Sequence, residues 1–153
     1  MAHHPLPAAS EIKALTGHRF PGGHYIVEHW ENFLLTGCTG ADLLPDGQVH
    51  PVALFHLPIM GAGTSIAEMF ALGQAESDLS IIIESYDWEM LQPLYEETRY
   101  AVSGSIVSAE RCTNTQGQTY DRLQFCFEVR NPADGQDLVA RTTITWHYTR
   151  NTL

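Results

Sequence analysis

The sequence predicts an α+β fold in which one antiparallel sheet covers a long apolar helix, and three observations predict it. The first is the run His50–Gln74, in which Glu68 is the single charge. From Pro58 onward Ile59, Ala62, Ile66, Met69, Phe70 and Gly73 recur at spacings of three and four, the period of one helix face. The opposite face, with Ala67, Ala71 and Leu72, is scarcely more polar, and a helix apolar nearly all round is a buried one. The second observation is a change to a period of two after Gly73. Ile81-Ile82-Ile83 is a β-branched run suited to a buried strand. Tyr100, Val102, Gly104 and Ile106 then alternate with polar neighbours, as do Leu123, Phe125, Phe127 and Val129, and finally Leu138, Ala140, Ile144, Trp146 and Tyr148. The third is the shortness of the joints. The polar turn Thr113–Gln118 and the segment Asn131-Pro132-Ala133-Asp134-Gly135 make these strands a meander.

Taken in order, residues 1–15 read as a lead-in, with one helical turn over Glu11–Leu15, and residues 16–153 as a single domain. Thr16–Gly23 is a loop by its Gly and Pro content, and His24–Val27 a short strand. Glu28–Thr36 reads as a helix. Val27, Trp30, Phe33, Leu34 and Gly37 fall on one side of it, Glu28 and Glu31 suit its N-terminus, and Gly37 is a fair C-cap. Cys38–Val49 is an ordered loop. Pro58 suits the first turn of the central helix, and Gly61, Ala62 and Gly63 allow another backbone or a ligand to come close. Ser80–Tyr86 is a strand, and Met90–Glu97, with Pro93, a connection. A sheet polar on one face must cover the other, and the central helix is available to do it. Its edges would pair in at least a dimer.

Composition excludes some partners. Eight Lys and Arg stand against 18 Asp and Glu in 153 residues, a net charge of −10 with His neutral. No basic run exists, which argues against nucleic acid or an anionic membrane. The acids Glu84, Asp87, Glu89, Glu96 and Glu97 read as a solvated face. No apolar run reaches membrane-spanning length, and residues 1–12 have no basic segment followed by an apolar one, so a cytoplasmic protein without a signal peptide is expected. Cys38, Cys112 and Cys126 are odd in number and lack CxxC spacing, which argues for a reducing compartment and against structural zinc. No metal or cofactor is expected, and His18, His24, His29 and His147 show no ligand spacing.

A curved sheet around one apolar helix is the hot-dog architecture. Leu15-Thr16-Gly17-His18-Arg19-Phe20-Pro21-Gly22-Gly23 resembles the start of MaoC-like hot-dog domains, as does the helix and loop Glu28–Thr39. In the back half, Pro93–Tyr100, Asp134-Gly135 and Ala140-Arg141-Thr142-Thr143-Ile144-Thr145-Trp146 resemble them too. That family includes (R)-specific enoyl-CoA hydratases and 3-hydroxyacyl thioester dehydratases. The resemblance therefore implies an acyl-CoA or acyl-ACP thioester lying along the central helix, a cofactor-free addition or elimination of water, and a homodimer or a heterodimer with another hot-dog subunit.

Hydration of an enoyl thioester needs a general acid/base, commonly an Asp–His pair, to activate water at C3 and move a proton at C2. It also needs N–H donors for the charge that gathers on the thioester oxygen. In the resembled family the Asp and His are separated by four residues in the loop after the first helix. Here Asp46 and His50 are separated by three, and His56 resembles a His that precedes the helix glycine, although Leu57 follows it. The candidate catalytic residues are thus Asp46, His50 and His56. Gly61, Gly63 and Thr64 are the candidate substrate-binding residues. Each has a plainer reading, Asp46 and His50 as turn residues and His56 as a core histidine. Glu68 would be costly to bury unpaired, and hot-dog thioesterases carry an acid on this helix, so Glu68 opens an alternative thioesterase reading. A non-catalytic subunit that completes a partner's site is the other alternative.

Overall fold

Five strands form one antiparallel sheet in the computed structural model, which describes residues 5–150. They are β1 (Gly23–Ile26), β2 (Ile81–Met90), β3 (Arg99–Thr113), β4 (Thr119–Asn131) and β5 (Asp137–Thr149), arranged β1-β3-β4-β5-β2. The predicted alternation sets the core face. Leu123, Phe125, Phe127 and Val129 of β4 are fully buried, and Tyr100, Val102 and Ile106 of β3 and Ala140, Ile144, Trp146 and Tyr148 of β5 join them. β2 pairs only with β5 and is bulged, since Ile83 faces Trp146 and Ser85 faces Thr145, leaving Glu84 as the extra residue.

Four short α-helices lie over the core face or at its ends: α1 (Ala9–Lys13), α2 (His29–Cys38), α3 (Leu57–Gly61) and α4 (Ile66–Leu72). The single long helix expected from Pro58 is therefore two. Gly63 takes a left-handed φ of +76°, and Ser65 starts a new helix by accepting the Glu68 N–H at 3.1 Å. A glycine turn followed by a serine N-cap is a stop and a start, which outweighs the continuous apolar period. Gly61 sits against β3 so closely that an added Cβ would stand 2.6 Å from Val102 Cγ2. The helix is also not buried all round. Leu57, Pro58 and Ile59 of α3 are buried, but in α4 only Met69 is, while Ile66, Ala67, Glu68 and Ala71 are exposed.

α2 departs from its sequence pattern in orientation. Its apolar side faces outward, with Trp30, Phe33 and Leu34 at 60, 57 and 56% exposure, while Asn32 and Thr36 face in. Asn32 accounts for this. Its side chain donates to Gln48 O and Glu96 Oε1 and accepts from the His50 N–H and the Thr36 hydroxyl, so the inward side of α2 is polar and satisfied.

The expected lead-in is packed where it is described. Ile12 of α1 is fully buried, and Pro7 O accepts from Arg111 Nη2 at 2.6 Å; residues 1–4 lie outside the described residues. Arg111 also binds Asp121, a fully buried carboxylate shared with Arg150. Arg150 in turn donates to Gly73 O and Gln74 O, the carbonyls at the end of α4. No helix among the described residues is long and apolar enough to cross a membrane.

Candidate functional site

Three elements bring Tyr25, Glu31 and His56 together. Tyr25 stands on β1, Glu31 in the first turn of α2, and His56 immediately before α3. The Tyr25 hydroxyl donates to Glu31 Oε1 at 2.6 Å, and His56 Nε2 lies 2.8 Å from the same oxygen. The Tyr25 and His56 rings meet edge to face, with centroids 5.9 Å apart. The side chains of Glu31 and His56 are 14 and 26% exposed, so the pair is sheltered but reachable. An ionised carboxylate only accepts, so Glu31 places the imidazole proton on Nε2 and leaves the lone pair of a neutral His56 on Nδ1. Burial, and then the negative charge of Glu31, hold the Tyr25 hydroxyl above its ordinary pKa, so it remains a donor.

A second network flanks the first. His29 Nδ1 lies 3.0 Å from both oxygens of Glu96, and Asn32 Nδ2 donates to Glu96 Oε1 at 2.7 Å. The Asn32 amide foremost, with His29 helping, holds Glu96 below the usual carboxylate range. His29 is thus tied to a carboxylate although its spacing in the sequence suggested nothing.

The predicted residues are distributed as follows. His56 lies in the Tyr25–Glu31 cluster. His50 caps the 3₁₀ turn Pro51–Phe55, its Nδ1 accepting the Val52 N–H at 3.0 Å. Asp46 is exposed in the turn Pro45–Gly47 at φ +59°, a left-handed position that Asp tolerates. No hydrogen bond or ion pair joins Asp46 to His50 among the described residues. The Gly63 and Thr64 N–H groups are engaged with Met60 O and Ile59 O as α3 ends. Gly61 is buried against Val102. Gly63 and Thr64 do line an open groove of about 580 Å³ with His18, Phe20 and Glu68. There the Thr64 hydroxyl donates to Glu68 Oε2 at 3.0 Å, so Glu68 is exposed and hydrogen-bonded, and the cost of burying it does not arise. Glu31 was visible in the sequence only as an acid suited to a helix N-terminus; nothing in its spacing to His56, 25 residues on, pointed to a pair. Among the described residues no group of three or more His, Cys, Asp or Glu could hold a metal ion.

The sheet order, the short α3 seated on β3 and β1, and the histidine at its start define a hot-dog fold. Solved structures share this fold. The ChsH1-ChsH2 complex from Mycobacterium tuberculosis matches with a TM-score of 0.67 at 10% identity, over 95% of this chain and 90% of that one. The HadBC (3R-hydroxyacyl-ACP dehydratase) complex from the same organism matches with a TM-score of 0.62 at 14% identity, over 87% and 96%. The monoamine oxidase regulatory protein from Archaeoglobus fulgius gives 0.62 at 12%, over 90% and 92%. The sequence matches no protein-family model and no curated protein.

Proposed function

We propose that this chain is a hydro-lyase of the MaoC-like type, adding water to an enoyl thioester or removing it from a 3-hydroxyacyl thioester, with His56 as acid/base. The observation that carries this is the 2.8 Å contact between His56 Nε2 and Glu31 Oε1 at the start of α3. In hydration, His56 Nδ1 takes a proton from the water that attacks C3, and the imidazolium so formed is stabilised by Glu31 at the opposite nitrogen. The same proton is then available for C2, which keeps the step balanced without a cofactor. Tyr25 holds Glu31 in place through its hydroxyl, a positioning role. Asp46 and His50 are assigned to the loop that supports α2, and the chain works beside a second hot-dog subunit, as the named complexes among its structural neighbours do.

The test is a paired assay with crotonyl-CoA and longer enoyl-CoAs, following loss of enoyl absorbance and release of thiol together. Enoyl loss without thiol release is expected, reduced about 10²–10⁴-fold by His56→Ala. Glu31→Gln should lower kcat more than it changes KM. Thiol release that disappears in Glu68→Ala would transfer the chain to the thioesterases. Silence in both readouts from a folded chain would leave it as a non-catalytic subunit.

A further inference from the structure

Three hydrogen-bond donors on the core side of β5 and β2 are left unspent. Thr142 and Trp146 of β5 are buried, and the Thr142 hydroxyl and the Trp146 indole N–H have no hydrogen-bond partner. Ile144 lies between them and stands opposite Tyr86 of β2. Burial raises the Tyr86 hydroxyl above its ordinary pKa, and the nearby Trp146 N–H works against that rise. An indole N–H only donates, so Trp146 acts on the Tyr86 oxygen and leaves its proton free. That proton is donated to no acceptor among the described residues. Folded chains nearly always satisfy such groups. Three left over on one short stretch mark a place to which an acceptor is brought.

The wall around these donors is aromatic and continuous with the His56 site. Phe55 stacks on Tyr86, with ring centroids 5.3 Å apart and planes 22° from parallel. Trp88 stands opposite Thr142 on the same face as Tyr86. Phe55 and Trp88 are 51 and 41% exposed, so the wall is open to a ligand. Phe55 directly precedes His56; its ring turns to β2, whereas the His56 ring turns to Tyr25 on β1. A thioester whose reacting carbons lie at His56 therefore meets this wall with the part of its acyl group beyond C3. Aromatic walls with a few placed polar groups are the make-up of a small-molecule site.

We infer that the acyl group taken by this chain carries an aromatic ring bearing an acceptor oxygen, the ring lying against Phe55 and Trp88 and the oxygen accepting from the Tyr86 hydroxyl. A plain alkyl chain would cover the wall and leave the Tyr86 donor unpaired. That penalty is what lets a site with a buried polar group reject an analogue lacking the matching atom. The Trp146 N–H behind the Tyr86 oxygen polarises the hydroxyl and strengthens its donation. The inference rests on the reading of the chain as acting on an acyl thioester, and it adds the class of acyl group.

Calorimetric titration of the full chain with two saturated thioesters tests it without turnover: 3-phenylpropanoyl-CoA and 3-(4-hydroxyphenyl)propanoyl-CoA, neither of which can be hydrated. The hydroxylated probe should bind about 5–10-fold more tightly, the worth of one net hydrogen bond. Tyr86→Phe keeps the ring on Phe55 and removes only the hydroxyl. It should erase the preference and leave the affinity for the phenyl probe within about twofold of wild type. Equal binding of the two probes to wild type would overturn the inference, the result expected if an internal water or another chain occupies these donors. So would no binding of either probe, or a preference that survives Tyr86→Phe. A chain that hydrates octenoyl-CoA but does not discriminate between the probes would refute the acyl class and leave the hydro-lyase reading standing. A chain that prefers the hydroxylated probe through Tyr86 but turns over no enoyl thioester would do the reverse.

Discussion

Replacing Arg150 tests whether the end of β5 is held to α4 by a buried ionic clamp. Its guanidinium donates to Asp121 Oδ2 at 2.8 Å, Gln74 O at 2.5 Å and Gly73 O at 2.6 Å, and both charged side chains are fully buried. Arg150→Ala leaves two carbonyls at the end of α4 without donors, but Asp121 keeps both bonds from Arg111. Asp121→Asn instead leaves two guanidinium groups facing a neutral amide. Breaking one side of a buried pair costs about 3–5 kcal/mol, so Arg150→Ala belongs near the lower figure and Asp121→Asn near the upper. For a chain of this length each kcal/mol lowers Tm by about 2–4 °C, giving losses of roughly 6–12 °C and 10–20 °C respectively. Urea unfolding followed by circular dichroism measures the first quantity and a thermal melt the second. Arg150→Lys should fall between wild type and Arg150→Ala, since one ammonium cannot reproduce a three-way fork. A loss below about 1 kcal/mol for Arg150→Ala, the range of an exposed pair, would refute the clamp. So would a smaller loss for Asp121→Asn than for Arg150→Ala.

Two further outcomes follow from single contacts. Glu84 accepts from Arg122 and His147, Arg122 foremost, and these hold its carboxyl down from 4.5 to about 2. A depressed carboxyl stabilises the fold above its unfolded pKa and loses that effect as pH falls through the folded value. The urea-midpoint gap between wild type and Glu84→Gln should thus be constant above about pH 4.5 and close toward pH 2; a gap that widens on acidification would be the wrong sign. Glu84 is 37% exposed, so added salt should shrink the gap. At the helix–sheet contact, Gly61→Ala forces a methyl against Val102 and should cost about 1–3 kcal/mol. Adding Val102→Ala should recover part of that loss, and a silent Gly61→Ala would mean the two elements are not so closely packed.

The sheet was legible in β3, β4 and β5, which write their buried faces as simple alternations, and Phe125 and Phe127 lie where that alternation puts them; β2 was not, since Ile82 and Ile83 of the run read as buried are exposed. The helical layer was less so. Apolar periodicity across Ala62–Ser65 outweighed two local signals, Gly63 and Ser65, which end one helix and begin another. In α2 the apolar side was legible but not its direction, because Asn32 finds its partners on segments 16 and 64 residues away. His56 was found from its place before the helix. Glu31 and Tyr25 were not, because a hydrogen-bonded pair across 25 residues leaves no trace in spacing. Asp46 and His50 looked like a pair for the opposite reason: closeness in sequence is not closeness of side chains when a turn lies between them.

Asn32 acts as a rotational key for α2. One carboxamide engages the helix's own Thr36, the loop at Gln48 and His50, and the β2–β3 connection at Glu96. It thereby selects the azimuth at which the helix is seated, and so decides that Trp30, Phe33 and Leu34 are displayed and not stored. A family built on this scaffold could therefore conceal or reveal an entire apolar stripe by changing a residue that no partner ever touches. What α2 offers to its surroundings is encoded on the side of the helix that the surroundings never see.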